Sequence, residues 1–163
     1  MSTYSVTMQN QSIVADATLV IIHTDSTVAS PGSNIRLLRA WCGQQASEVS
    51  DQLGVIIGQK ASAFGTYTST TPTPHFIGGQ VSGIVGATTG AEGTAGTDAS
   101  AEGAGTVTPI IYDGFNNLNG YLWLPSEREQ IIIPADTAII LKIVGTPAAL
   151  GNWSAGMTYE ELN

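Results

Sequence analysis

The chain has 163 residues, of which 42% are hydrophobic and only 11% charged, and its 13 acids against 5 bases give a net charge of −8. The length suits one domain whose core needs neither metal nor disulfide, while the charged fraction is far below the roughly 25% usual for soluble domains. No Lys or Arg lies between Lys60 and Arg128, which argues against DNA or RNA binding, where clustered bases must replace counterions, and against anionic membrane surfaces.

In chain order, Tyr4, Val6 and Met8 alternate with Ser5 and Thr7, the period of a half-buried strand, and Asn10–Ser12 break it. Thr18–Thr24 is β-branched and almost continuously apolar, so it predicts a strand covered on both faces. Ser30–Asn34 (SPGSN) predicts a turn. Ile35–Gln44 is a third strand; Arg36 and Arg39 do not fall on one strand face, which allows a bulge or short irregularity there. Ala46–Gln52 is a polar connection, and Leu53–Ile57 a fourth strand. Only Ala46–Leu53 and Pro147–Leu150 tolerate a helical turn.

Ser62–Thr73 is rich in Ser and Thr and runs into Pro72-Thr73-Pro74, so it predicts a loop or a sheet edge, since proline cannot serve a central ladder. Gly78–Gly105 holds nine of the 19 glycines, no aromatic residue, and only Glu92, Asp98 and Glu102 as charges. This predicts a long surface loop or extended arm, and the main docking element of the molecule. Thr106–Tyr112, Tyr121–Leu124, Gln130–Ile133 and Thr137–Val144 predict four further strands, and Thr158–Leu162 a closing one. The expected fold is all-β: one antiparallel two-sheet sandwich over residues 1–163, jelly-roll-like, with the Gly/Ala-rich loop or arm at 78–105. Ile21, Leu37, Trp41, Val55, Leu141 and Ile143 are its expected core.

Chemistry is sparse. Cys42 is the only cysteine, so no intrachain disulfide can form, and its apolar run predicts a buried, inert thiol. His23 and His75, on separate elements, make with Cys42 neither a zinc set nor an activated dyad. The pairs Glu127 with Glu129 and Glu160 with Glu161 read as solvated acids. Asp98 and Glu102 lack the spaced run of ligands that Ca²⁺ requires, and the glycine-rich segment lacks a phosphate-loop pattern. Tyr121 and Trp123 share a strand face and, with Trp153 and Tyr159, suit packing better than a sugar platform. No catalytic, cofactor-binding or metal-ligating residue is expected. The start, MSTYSVTMQNQS, has no signal-peptide pattern, and no apolar run is long enough to cross a bilayer.

Several passages together resemble the small β-sandwich head decoration, cement or minor capsid proteins of tailed bacteriophages. They are TYSVTM; IRLLRAWCGQQASE; TPTP at Thr71–Pro74; FNNLNGYLWLPSERE at Phe115–Glu129; IIIPADTAIILKIVGTPA; and MTYEEL at Met157–Leu162. The insertion at Gly86–Gly105 departs from that pattern. The resemblance implies a structural virion protein, made in the host cytoplasm and bound to the capsid exterior, with the major capsid protein as partner. It also implies a homo-oligomer, a trimer before a dimer, and no catalytic residue. The alternative from another class is a tail- or fibre-associated sandwich that binds host glycan.

Overall fold

The computed structural model describes residues 2–24, 34–45, 49–83, 85 and 94–162, and these form strands and turns without a helix. The expected turn at Ser30–Asn34, the first half of the Ala46–Gln52 connection and the centre of the Gly/Ala-rich stretch lie largely or wholly outside them. One antiparallel sheet contains β1 (Thr3–Gln11), β3 (Ile35–Gln44), β6 (Thr73–Pro74), β9 (Tyr121–Trp123), β10 (Ile131–Ile133) and β12 (Trp153–Glu161). The other contains β2 (Thr18–His23), β4 (Gln52–Ala61), β5 (Thr66–Ser69), β7 (Thr94–Ala101), β8 (Thr106–Asn116) and β11 (Ala138–Val144). The first runs β10-β3-β12-β1-β6, with β9 on the same edge of β3 as β10; the second runs β5-β7-β2-β11-β4-β8.

The pairings follow one rule. β1 pairs with β12, β2 with β11, β3 with β9 and β10, and β4 with β8, so the first strands meet the last ones in descending order. This is one long antiparallel ribbon. Folding it over brings β12 beside β3 and β11 beside β4, and the two sheets close on a common core. Val6, Leu19, Ile22, Leu37, Val55, Ile139, Leu141, Ile143, Trp153 and Met157 fill that core and are fully or almost fully buried. Tyr4 stacks on Tyr159 at 5.5 Å between ring centres, and Phe115 meets Trp153 edge-on at 6.4 Å. Asn117 is buried beside the core and ties three segments: its side chain donates to Gln44 Oε1 (2.8 Å) and Val49 O (2.9 Å) and accepts from Asp51 N (2.8 Å).

Of the expected core residues, Ile21, Leu37, Val55, Leu141 and Ile143 are buried, and Trp41 is not. Of the bulge or irregularity allowed for in β3, a bulge is present: Arg39 pairs with Thr158 and Leu37 with Tyr159, which leaves Leu38 as the extra residue. Beyond it the facing positions shift, so Ala40 and Cys42 enter the core and Trp41 joins Arg36 and Arg39 outside. Trp41 lies across Gly156, where a Cβ would come within 2.8 Å of the indole.

The expectation of a loop or arm over Gly78–Gly105 fails in its second half. Thr94–Ala101 is β7, an interior strand between β5 and β2, and Thr94, Ala95, Gly96 and Thr97 are buried. It is thin because the Tyr67 ring of β5 occupies the space above it. A Cβ on Gly96 would fall 1.8 Å from that ring, and the Tyr67 hydroxyl meets Thr94 Oγ1 at 2.9 Å. The proline-rich stretch lies, as expected, at edges: β5 ends one sheet and β6, with Pro74, the other. At Pro147–Leu150 there is a bend and no helical turn.

The sheet built on β2 carries a second small core on its outer face. Ile21 and Ile140 turn away from the main core and meet Tyr67, Ala99 and Ala138, with Phe64 and Val107 packed against them. The connections 62–65 and 102–105 run side by side here, joined by Gly105 N to Ala63 O at 3.2 Å.

Candidate functional site

The residues singled out for chemistry are placed apart. His23 ends β2, buried, its ring against Phe64 (4.4 Å between centres) and its Nε2 3.8 Å from Asp136 Oδ1. His75 is exposed beyond β6 at the opposite sheet. Cys42 points into the core, where burial pushes its thiol up to about 12, so no thiolate is present at neutral pH. Among the described residues no three His, Cys, Asp or Glu side chains come together as a metal site.

Glu127 and Glu129 occupy an exposed turn, in which Glu129 accepts from the Ser126 hydroxyl at 2.8 Å. Glu160 and Glu161 are not the solvated pair expected. Neighbours on a strand point to opposite faces. Glu160 lies outside, 3.7 Å from Arg36 Nη1, while Glu161 is buried and accepts from Ser82 Oγ (2.5 Å) and Gly83 N (3.1 Å). Of the four aromatics considered for a sugar platform, Trp153 and Tyr159 are fully buried, and Tyr121 and Trp123 pack inward, half-buried, on the core. Burial pushes the Tyr159 phenol well above its ordinary range, and the neighbouring Ser82 hydroxyl offsets only part of this.

Glu102 joins a charge cluster that sequence reading missed. Its carboxylate accepts from Thr18 N, from Thr18 Oγ1 (2.8 Å), from Lys60 Nζ (3.3 Å) and from Lys142 Nζ (3.2 Å), and its carbonyl also accepts from Lys60. Burial would raise the Glu102 carboxyl; the Thr18 hydrogen bonds, then Lys142 and Lys60, outweigh it and hold the group below the usual carboxylate range. With its oxygens committed to two ammonium groups, Glu102 has a structural role: it fastens the 102–105 connection over β2, β4 and β11.

The feature with the character of an interaction site is the turn that follows β6. His75 N donates to Thr3 O (2.9 Å), and its Nε2 meets Ser5 Oγ at 2.7 Å, in line with Thr158 Oγ1 at 2.9 Å from the same hydroxyl. Gly79 N donates to Phe76 O (2.8 Å), closing a turn that needs Gly78 at φ +80°. Beyond it, Ser82 and Gly83 are held by Glu161, and Val85 N donates to Ser82 Oγ at 2.9 Å. Between these two anchors Phe76, Ile77 and Val81 are 78%, 97% and 70% exposed. No charged residue lies in His75–Gly83. A groove of about 890 Å³ runs beside the turn, lined by Tyr4, Pro74, His75, Phe76, Val81 and Glu161 among others. The signal was readable: Phe76-Ile77 is an apolar pair inside a Pro/Gly-rich loop, where no strand can bury it. Comparison with protein-family models, with curated proteins and with solved structures finds no match to this chain.

Proposed function

We propose that the chain is a structural virion protein that docks on the outer face of a phage capsid shell and stabilises it. The observation that carries this reading is the anchored turn with Phe76, Ile77 and Val81 in water. An apolar patch held rigid at both ends loses little conformational entropy when a partner covers it. The ribbon order of the strands supports a jelly roll, a fold used in viral capsid and lectin domains. The low charged fraction supports burial of broad surface against the major capsid protein. Occupancy on purified capsids tests it. Wild-type protein is expected at shell-wide sites, and the folded variant Phe76→Ser is expected to bind more weakly; copies confined to the tail would overturn the reading.

A second reading has its own support. Trp41 lies over Gly156 on the outer face of one sheet, and Tyr112 is 65% exposed on the other. Aromatic faces of this kind stack on sugar rings, which suits a tail- or fibre-associated glycan binder. Tail-restricted copies in electron micrographs, with saccharide binding lost in Trp41→Ala, would favour it.

A further inference from the structure

The turn after β6 has a counterpart on the same molecule. At the far edge of its sheet, β10 and its exit border a crevice of about 110 Å³ that Ile110 of β8 and residues of β4 and β11 in the other sheet also line. Its lining is mostly aliphatic, with Ile110 from β8, Ile131–Ile133 and Pro134 from β10 and its exit, and Ile139 behind, and it includes the polar Gln59 and Thr137. Ile110 and Ile132 are half in water. No charged residue lines it.

We propose that Ile77 of one copy seats in this isoleucine crevice of the next copy, so that the chain associates head to tail. Four observations carry this. First, Ile77 is 97% exposed at the tip of a fixed turn, and the crevice has room for one branched aliphatic side chain. Second, knob and hole sit at opposite edges of one sheet, β6 at one end and β10 at the other, which is the placement a side-by-side, repeating contact needs. Third, each copy carries a net charge of −8, so copies repel unless they meet through surfaces poor in acids; residues 75–83 and the crevice lining hold no charged side chain, and Arg36 pairs beside Ile132 at the rim, where Glu127 and Glu160 also lie. Fourth, direct edge-to-edge strand pairing, the competing route, is obstructed at β8: Ile57 pairs with Ile111 and Gly58 with Pro109, which makes Ile110 a bulge beside a proline. The same bulge leaves Ile110 at the crevice mouth. A contact between two different patches is heterologous, so it closes into a ring when the rotation allows and otherwise extends.

This deepens the reading above and rests on it for the homo-oligomer that such a shell protein implies, whereas shell binding is measured apart. The test uses the full chain, wild type and the variants Ile77→Asp and Ile132→Asp, by light scattering and sedimentation from micromolar to millimolar concentration. Circular dichroism checks that each is folded, and Ile77→Ser and Ile132→Ser replace a variant that is not. Wild type is expected to associate, and each variant to be weaker by about a hundredfold or more, as for a central interface residue. The deciding arm mixes the two variants. Each retains one intact patch, so a head-to-tail contact restores a one-to-one dimer that grows no further. A monomeric wild type, unchanged association in Ile77→Asp, or no dimer on mixing would overturn the inference. Capsid occupancy of the monomeric Ile132→Asp variant, whose turn after β6 is intact, reports on shell docking apart from these outcomes.

Discussion

Glu102 shows how one side chain can hold a fold whose surface carries few charges. Lys60 is almost completely buried, and Glu102 is the carboxylate that meets it. Removing one partner of such a pair leaves the other charge without compensation, which costs about 3–5 kcal/mol when the site is deeply buried and less here, where Glu102 is partly exposed. We expect Glu102→Gln to destabilise measurably in urea unfolding. The pH dependence has a definite sign. A carboxyl lowered in the folded state adds stability above its unfolded pKa, near 4.3, and loses that contribution as pH falls through the lower folded value. Asp98, raised by burial, acts in the opposite sense, so the wild-type acid profile is a sum. The difference between wild type and Glu102→Gln isolates Glu102: it is expected to be largest near neutrality and to shrink in acid. A difference that grew on acidification would refute this account. Gly96 gives a second residue-scale test. Gly96→Ala puts a methyl into the Tyr67 ring and is expected to cost about 1–3 kcal/mol, much of it recovered in the double variant with Tyr67→Ala. Cys42 gives a third: a disulfide reagent at neutral pH should leave it unmodified in the native protein and modify it as urea unfolds the chain.

At the scale of elements, β7 marks where sequence reading fell short. TAGTDASA has no side chain large enough to announce a strand, and its burial comes from the Tyr67 ring laid over it. Its neighbours across the sheet, β2 and β5, are remote in sequence, so no local period could reveal it. The strands built from β-branched and aromatic residues were legible, as was the bulge in β3; its effect on Trp41 was not, because a bulge changes the face of every later residue. Glu161 was legible in principle, since alternation places it on the face of Tyr159. Glu102 was not: Thr18 stands 84 residues away and Lys60 stands 42 away. Deleting Gly86–Gly105 therefore does more than trim a loop, because it removes an interior strand and the Glu102 clamp. Such a variant is expected to lose cooperative thermal unfolding, followed by near-ultraviolet circular dichroism; a sharp, wild-type transition would show β7 to be dispensable.

For the whole molecule, the ribbon order bears on how the protein can be made. β12 lies between β1 and β3 and is synthesised after every other strand described here. Until Trp153–Glu161 leave the ribosome, β1 and β3 have an empty lane between them and the core lacks Trp153, Met157 and Tyr159. The nascent chain thus cannot seal its sandwich during elongation and spends translation with apolar strand edges exposed. Closing it joins Thr3 to Glu160, a contact of high sequence separation, which places folding among the slow, millisecond-to-second β topologies. Growth conditions that slow elongation then prolong the interval in which chaperones, or other unfinished copies, can capture the open edge.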